Sequence, residues 1–252
     1  MARMAWSDGI TAVACTPHIL PGVYNNTGPV IRAALARLRD TIAQAGIPLR
    51  LMTGADVHIA PDLGAQLGDG RALTLNESRY FLLEPPHSIL PPRLENHIFE
   101  LQMVGYSPIL THPERLSWLD GHYDLVKRLV YNGLLIQLTA GSLMGRFGRR
   151  PRYWTERMLD DGLVHILASD AHDTERRPPC LAEARKLVAQ RLGEEEATNL
   201  VLIRPQAIIN DVNPSELPPL PLAAAEQANS RAGARSAWSR ILKRIRQVVG
   251  SE

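Results

Sequence analysis

Val164-His-Ile-Leu-Ala-Ser-Asp170-Ala-His172 is a short apolar run that stops on two residues able to bind a metal. Five other stretches have the same form: Thr11-Ala-Val-Ala-Cys-Thr-Pro-His18, Leu49-Arg-Leu-Met-Thr-Gly-Ala-Asp56, Tyr80-Phe-Leu-Leu-Glu84, Pro108-Ile-Leu-Thr-His112 and Leu134-Leu-Ile-Gln-Leu-Thr-Ala-Gly-Ser142. Apolar runs of this length are what strands buried on both faces look like. Five of the six stop on His, Asp or Glu. In α/β barrels the C-terminal ends of the parallel strands open on one common face, where the active site sits. Ligands gathered from five strand ends would converge there, so the pattern predicts a metal-dependent hydrolase.

Segments with helical period lie between the runs. Pro29 to Ala45 reads as a helix stopped by Gly46, Asp124 to Asn132 as one stopped by Gly133, Tyr153 to Asp161 by Gly162, and Pro179 to Leu192 by Gly193. Alternating strand and helix predicts a parallel α/β sheet or barrel. Met1 to Asp8 reads as the last turns of a helix that feeds the first run directly, so either the barrel is open there or one βα unit is absent from this sequence. The barrel is expected over residues 1–213. A Pro/Ala-rich linker is expected over 214–235 and a basic amphipathic helix over 236–252, with Trp238, Ile241, Leu242, Ile245 and Val249 on one face. That helix has three open readings: lying on an anionic membrane, docking in a partner's groove, or packing on its own barrel.

Composition narrows the classes. The 252 residues suit one large α/β domain, and no stretch approaches a membrane span or a secretion signal. The two cysteines, Cys15 and Cys180, fit a reducing, cytoplasmic setting rather than a disulfide framework. Neither is followed by five residues and an arginine, since position 21 is Pro21 and position 186 is Lys186, which argues against a thiolate-nucleophile phosphatase. The net charge of +2 gives no reason to expect a nucleic-acid partner.

Asp170 and His172, two apart in an extended segment, point to the same side. Burying both without partners would cost several kcal/mol, so a metal role is favoured over a structural one. His18, Asp56, Glu84 and His112 have the same placement at run ends. A carboxylate between two divalent ions can bridge them, the usual apparatus for phosphate ester hydrolysis. Arg115 lies three residues after His112, and Arg177 follows His172 across a short loop; guanidinium forks suit phosphate oxygens. Arg176 reads as surface. His87, His97, His122 and His165 read as structural or surface, and so does His58, although it shares a face with Asp56.

Taken in order, Thr16-Pro-His18, Gly54-Ala-Asp56, Glu84-Pro-Pro, Thr111-His-Pro-Glu-Arg115, Thr139-Ala-Gly-Ser142-Leu-Met-Gly and Ser169-Asp-Ala-His172…Arg177-Pro-Pro resemble the bacterial manganese-dependent protein-tyrosine phosphatases of capsule and exopolysaccharide operons, within the polymerase-and-histidinol-phosphatase superfamily. The resemblance runs from about residue 5 to residue 214. It implies a distorted (β/α)7 barrel holding up to three manganese ions, and hydrolysis of phosphotyrosine on a membrane-bound tyrosine autokinase that controls polysaccharide export. By motif, it implies that His18, Asp56, Glu84, His112, Asp170 and His172 are ligands, and that Arg115 and Arg177 hold the phosphate.

Two departures stand out. The family opens with a strand bearing His-x-His and then an Asp, all ligands, and this sequence has none of them; the chain as written is therefore expected to be a weak or inactive enzyme. Asp56 stands where the family more often has Glu, one methylene longer. Fe, Zn or Mg would also suit such donors. The competing functions are a small-molecule phosphomonoesterase resembling histidinol phosphatase and a truncated, non-catalytic barrel that docks on a kinase.

Overall fold

The computed structural model describes residues 1–221. The chain divides into two compact units, Met1–Pro218 and Pro219–Glu252. The basic helix expected over 236–252, and the linker from residue 222 onward, lie outside the described residues.

The first unit runs α1 (Ala2–Ser7), β1 (Ala12–Cys15), β2 (His18–Ile19), α2 (Gly28–Gln44), β3 (Arg50–Thr53), β4 (Asp56–His58), α3 (Leu63–Gly68), β5 (Tyr80–Glu84), α4 (Leu94–Met103), β6 (Ser107–Thr111), α5 (Leu119–Tyr131), β7 (Leu135–Thr139), α6 (Ala140–Leu143), α7 (Arg149–Asp160), β8 (Ile166–Ala168), α8 (Ala182–Leu192), α9 (Glu194–Thr198) and α10 (Arg204–Ile209). The expected alternation is present, and helices stop at positive-φ glycines such as Gly46 (φ 63°) and Gly133 (φ 90°). Helix starts differ from the sequence expectation. α7 begins at Arg149 because Pro151 is tolerated in a first turn, where its missing N–H costs nothing. α8 begins at Ala182, where Asp8 Oδ2 accepts from the N–H groups of Leu181 (2.6 Å) and Ala182 (2.9 Å). α5 begins at Leu119 and bends at His122.

Three of the apolar runs are not single strands. The first two break side by side: β1 pairs with β3 and β2 with β4, all parallel, with Cys15 opposite Thr53 and His18 opposite Asp56. The breaks fall at Thr16-Pro17 and Gly54-Ala55. Proline cannot donate to the ladder, and a Cβ on Gly54 would come within 2.9 Å of Thr16 Cγ2, so the two kinks nest only with glycine there. The register survives the break. The run ending at Ser142 turns into α6 after Thr139. There the buried Glu114 presents Oε1 to the Thr139 N–H (3.0 Å) and the Ser142 hydroxyl (2.8 Å).

The larger sheet has the order β2-β4-β5-β6-β7-β8, consecutive and wholly parallel. Right-handed crossovers between neighbours in sequence order lay the helices on one side, as in barrels and unlike sheets whose order reverses. Among the described residues no ladder joins β8 to β2. The expected α/β class is present: among the described residues the strands form one two-stranded and one six-stranded parallel sheet. Tyr80, Leu82, Ile109, Leu135 and Ile166 line the face away from those helices, closed by Leu75, Ile208 and Leu217. The segment after α10 covers the N-terminal strand ends: Tyr80 Oη donates to Val212 O (2.7 Å), and Arg79 pairs with Asp211. That leaves the C-terminal ends as the open rim. Phe81, Leu83, Leu110 and Ile136 on the opposite face are fully buried, so the sheet is covered on both sides.

Two buried polar groups give tests. His165 accepts the Ile136 N–H at Nδ1 (3.1 Å); burial, reinforced by Arg204, pushes its pKa from 6.5 down to about 3. A depressed folded value means the unfolded chain takes the proton first, so this contribution to stability is complete above about pH 6.5 and is lost as pH falls toward 3. At about 1.4 kcal/mol per tenfold in proton affinity, it is bounded at about 5 kcal/mol. His165→Asn, which keeps an acceptor but does not titrate, is expected to flatten that part of the urea-unfolding stability against pH; an unchanged slope would clear His165. Glu114→Ala leaves two donors without their acceptor and is expected to cost about 1–3 kcal/mol for each one stranded, whereas Glu114→Gln, which keeps a carbonyl oxygen, loses less in the same denaturation experiment.

Candidate active site

Period-2 alternation and the register put His18, Asp56 and Glu84 on the same face of three neighbouring strands, His18 and Asp56 as the first residues of β2 and β4, just past the breaks, and Glu84 as the last of β5. His112 follows β6 directly. It and Asp170, just beyond β8, are held in the left-handed region (φ 36° and 48°). That conformation is uncommon for residues other than glycine, and strain of this kind clusters at functional sites.

Glu84 is the hub. Its Oε2 lies 2.9 Å from His18 Nδ1, while its Oε1 lies 3.5 Å from His112 Nε2 and 3.3 Å from His87 Nε2. Asp56 Oδ2 sits 3.8 Å from His18 Nδ1 and 3.7 Å from His112 Nε2, and its Oδ1 is 3.3 Å from the Thr111 hydroxyl, which donates to it. Two donor groups result, His18–Asp56–Glu84 and Glu84–His87–His112, each with its ligand atoms within 4.8 Å of one another. One carboxylate belongs to both and turns a different oxygen to each.

These residues fit a divalent cation. His18 Nδ1 is buried and has no aligned hydrogen-bond partner, although a carboxylate oxygen stands 2.9 Å away. His112 is 3 % exposed, and its Nε2 faces two carboxylates at distances too long for a good hydrogen bond. Nitrogen and oxygen donors without a thiolate suit Mn, Fe, Zn or Mg.

Electrostatics agree with the geometry. Burial alone would raise the Glu84 pKa, but contacts with His18 and His87 and the charges of His18 and His112 hold it far below the usual carboxylate range. His18 is raised, chiefly by Glu84. Burial would lower His112, but Asp56 reverses the direction and raises it.

Asp170 and His172 stand at the edge of this cluster. Asp170 Oδ2 accepts from Arg115 Nη1 (3.1 Å) and from Arg177 Nη2, so one carboxylate oxygen binds both predicted phosphate-binding guanidiniums. The His172 and His18 ring centroids are 6.3 Å apart. The loop returning to Arg177 is tied by Asp173 Oδ1, which accepts the N–H groups of Glu175, Arg176 and Arg177. Arg176 is exposed, as expected. His58 shares the Asp56 face but joins neither donor group.

Two residues at the site escape the sequence reading. His87 reads from the sequence as structural or surface; its imidazole reaches Glu84, and its place three residues after Glu84, across Pro85-Pro86, is the available signal. Phe147 lies under both arginines, its ring centroid 4.8 Å from the Arg115 guanidinium carbon and 5.6 Å from that of Arg177. It has no signal in the sequence, because its seat depends on Gly141, where a Cβ would meet the ring at 2.9 Å.

The chain is similar to known proteins over most of its length. Tyrosine-protein phosphatase YwqE of Bacillus subtilis (strain 168) is 33 % identical over 195 residues, 77 % of each chain. The putative tyrosine-protein phosphatase CapC of Staphylococcus aureus is 34 % identical over 192 residues, 75 % of each. The fold matches a chain from the crystal structures of YwqE from Bacillus subtilis and CpsB from Streptococcus pneumoniae, described as metal-dependent tyrosine phosphatases. The TM-score is 0.81 at 31 % identity, covering 84 % of this chain and 86 % of that one. Residues 1–210 match the family described as capsular polysaccharide synthesis, CpsB/CapC, and the chain belongs to that family.

Proposed function

We propose that this chain is a metal-dependent protein-tyrosine phosphatase acting in capsular or exopolysaccharide synthesis. The observation that carries this is the pair of His/carboxylate groups sharing Glu84, with Arg115 and Arg177 gathered on Asp170 at their edge. The tyrosine specificity is supported by the names of its relatives.

His18, Asp56, Glu84 and His112 would hold the ions, with Asp170 and His172 completing the ligand set from β8. Divalent cations there would offset charge on the phosphoryl oxygens and lower the pKa of attacking water. We infer manganese as the resident ion, a membrane-bound tyrosine autokinase as the substrate protein, the cytoplasm as the compartment, and an incomplete (β/α)7 barrel as the form of the sheet. Arg115 and Arg177 bind the phosphate in fork geometry, and Asp170 and the Phe147 ring orient them. Asp56, shorter than the Glu its relatives more often carry, is drawn inward by the Thr111 hydroxyl.

No thiol is needed. Burial pushes the Cys15 thiol up, away from the reactive thiolate. Cys180, however, lines a small cleft beside Arg177 and needs a direct test. A phosphotyrosine peptide incubated with the protein and added manganese is expected to release phosphate, weakly for the chain as written. A chelator should abolish that release, and the Cys15→Ser/Cys180→Ser double variant should keep it. Release that survives chelation but dies with the cysteines would refute the mechanism. A strong preference for a small phosphomonoester such as histidinol phosphate would instead favour the small-molecule alternative.

Arg115→Ala and Arg177→Ala are each expected to lower kcat/KM at least tenfold, about 1.4 kcal/mol. Wild-type kinetics in both variants would remove these residues from the site.

A further inference from the structure

We propose that His87 is a metal ligand in this protein, forming with Glu84 and His112 a three-donor cation site that opens to solvent. The inference rests on the reading that this centre binds divalent ions.

The distances come first. His87 Nε2 and His112 Nε2 both address Glu84 Oε1, at 3.3 and 3.5 Å, and the three donor atoms lie within 4.8 Å of one another. Ligand bonds of about 2.0–2.2 Å at tetrahedral to octahedral angles place neighbouring donors about 3.0–3.5 Å apart. Both separations fall in that range. A hydrogen bond between an imidazolium and a carboxylate would draw in to about 2.7–2.9 Å instead. The rings of His87 and His112 are 5.1 Å apart and inclined at 58°, so they do not stack. They converge on one oxygen.

The loop is built to hold that imidazole. Glu84 ends β5, and Pro85 and Pro86 fix φ at two successive positions before His87. The Pro86 carbonyl accepts from Trp118 Nε1 (2.9 Å), and the His87 carbonyl accepts from both the N–H (2.9 Å) and the hydroxyl (3.0 Å) of Ser117. Three hydrogen bonds from residues 117 and 118 therefore anchor two consecutive peptides of a five-residue span. A surface histidine needs no such anchoring. A ligand does, because each loose rotor costs affinity.

Exposure indicates what the site is for. The His87 side chain is 39 % exposed, against 3 % for His112. An ion bound there would be buried on the His112 side and open on the His87 side, which leaves room for water or a phosphoryl oxygen.

The test uses the full chain and does not depend on turnover. Manganese binding is measured by calorimetry for wild type and His87→Gln. Both proteins are then loaded with Co2+, and the strongly hyperfine-shifted exchangeable imidazole protons are counted by NMR. His87→Gln is expected to weaken binding at least tenfold and to lose one shifted resonance, with unfolding of the metal-free form unchanged. Loss of affinity with every shifted resonance retained would mean that His87 only orients Glu84, and would overturn the proposal. Wild-type affinity in the variant would overturn it too. Wild type that binds neither Mn2+ nor Co2+ would instead sink the underlying metal reading.

Discussion

The site turns on one buried carboxylate whose two oxygens face different histidines. Glu84 is drawn to His18 on one side and to His87 and His112 on the other. A carboxylate this buried stays ionised only if positive charge is supplied, and the surrounding imidazoles or a pair of cations are the available sources. Three neighbouring parallel strands must keep register for this to happen, since His18, Asp56 and Glu84 come from different chain segments held side by side. A slip of one residue in any of them would turn its ligand to the opposite face.

Strain and packing divide between the two ends of the sheet. At the N-terminal ends the chain is tied down by Tyr80 to Val212, Arg79 to Asp211 and the apolar closure by Leu75, Ile208 and Leu217. Around the site the backbone departs from regular geometry: paired breaks just before His18 and Asp56, and left-handed residues at His112 and Asp170. A well-packed base can support backbone that costs of order 1–3 kcal/mol per strained residue. Each departure at the rim re-aims a polar side chain.

The anion-binding side is assembled differently. Arg115 and Arg177 would repel each other, but Asp170 accepts from both and the Phe147 ring lies beneath both guanidiniums. The carboxylate lowers the cost of collecting two cations, and the ring adds contact with their flat faces. Asp170 thereby gathers both guanidiniums at the edge of the donor cluster.

The sequence alone determined the alternation of apolar runs with glycine-stopped helices, and therefore the parallel α/β class, because burial on both faces and helix termination are local properties. It also determined which polar residues stand at strand ends, and the ordered motifs were enough to place the chain in its family. Where those residues go next was decided by tertiary structure. The breaks at Thr16-Pro17 and Gly54-Ala55 are intelligible only side by side. The turn into α6 depends on Glu114, 25 residues upstream of Thr139, and the start of α8 on Asp8 at the other end of the chain. His87 looked like a surface histidine because its partner is on the neighbouring strand and its anchors are at residues 117 and 118. Periodicity records which face a side chain takes, whereas contact between segments far apart in the chain is set by how the sheet curves and where its loops fold back.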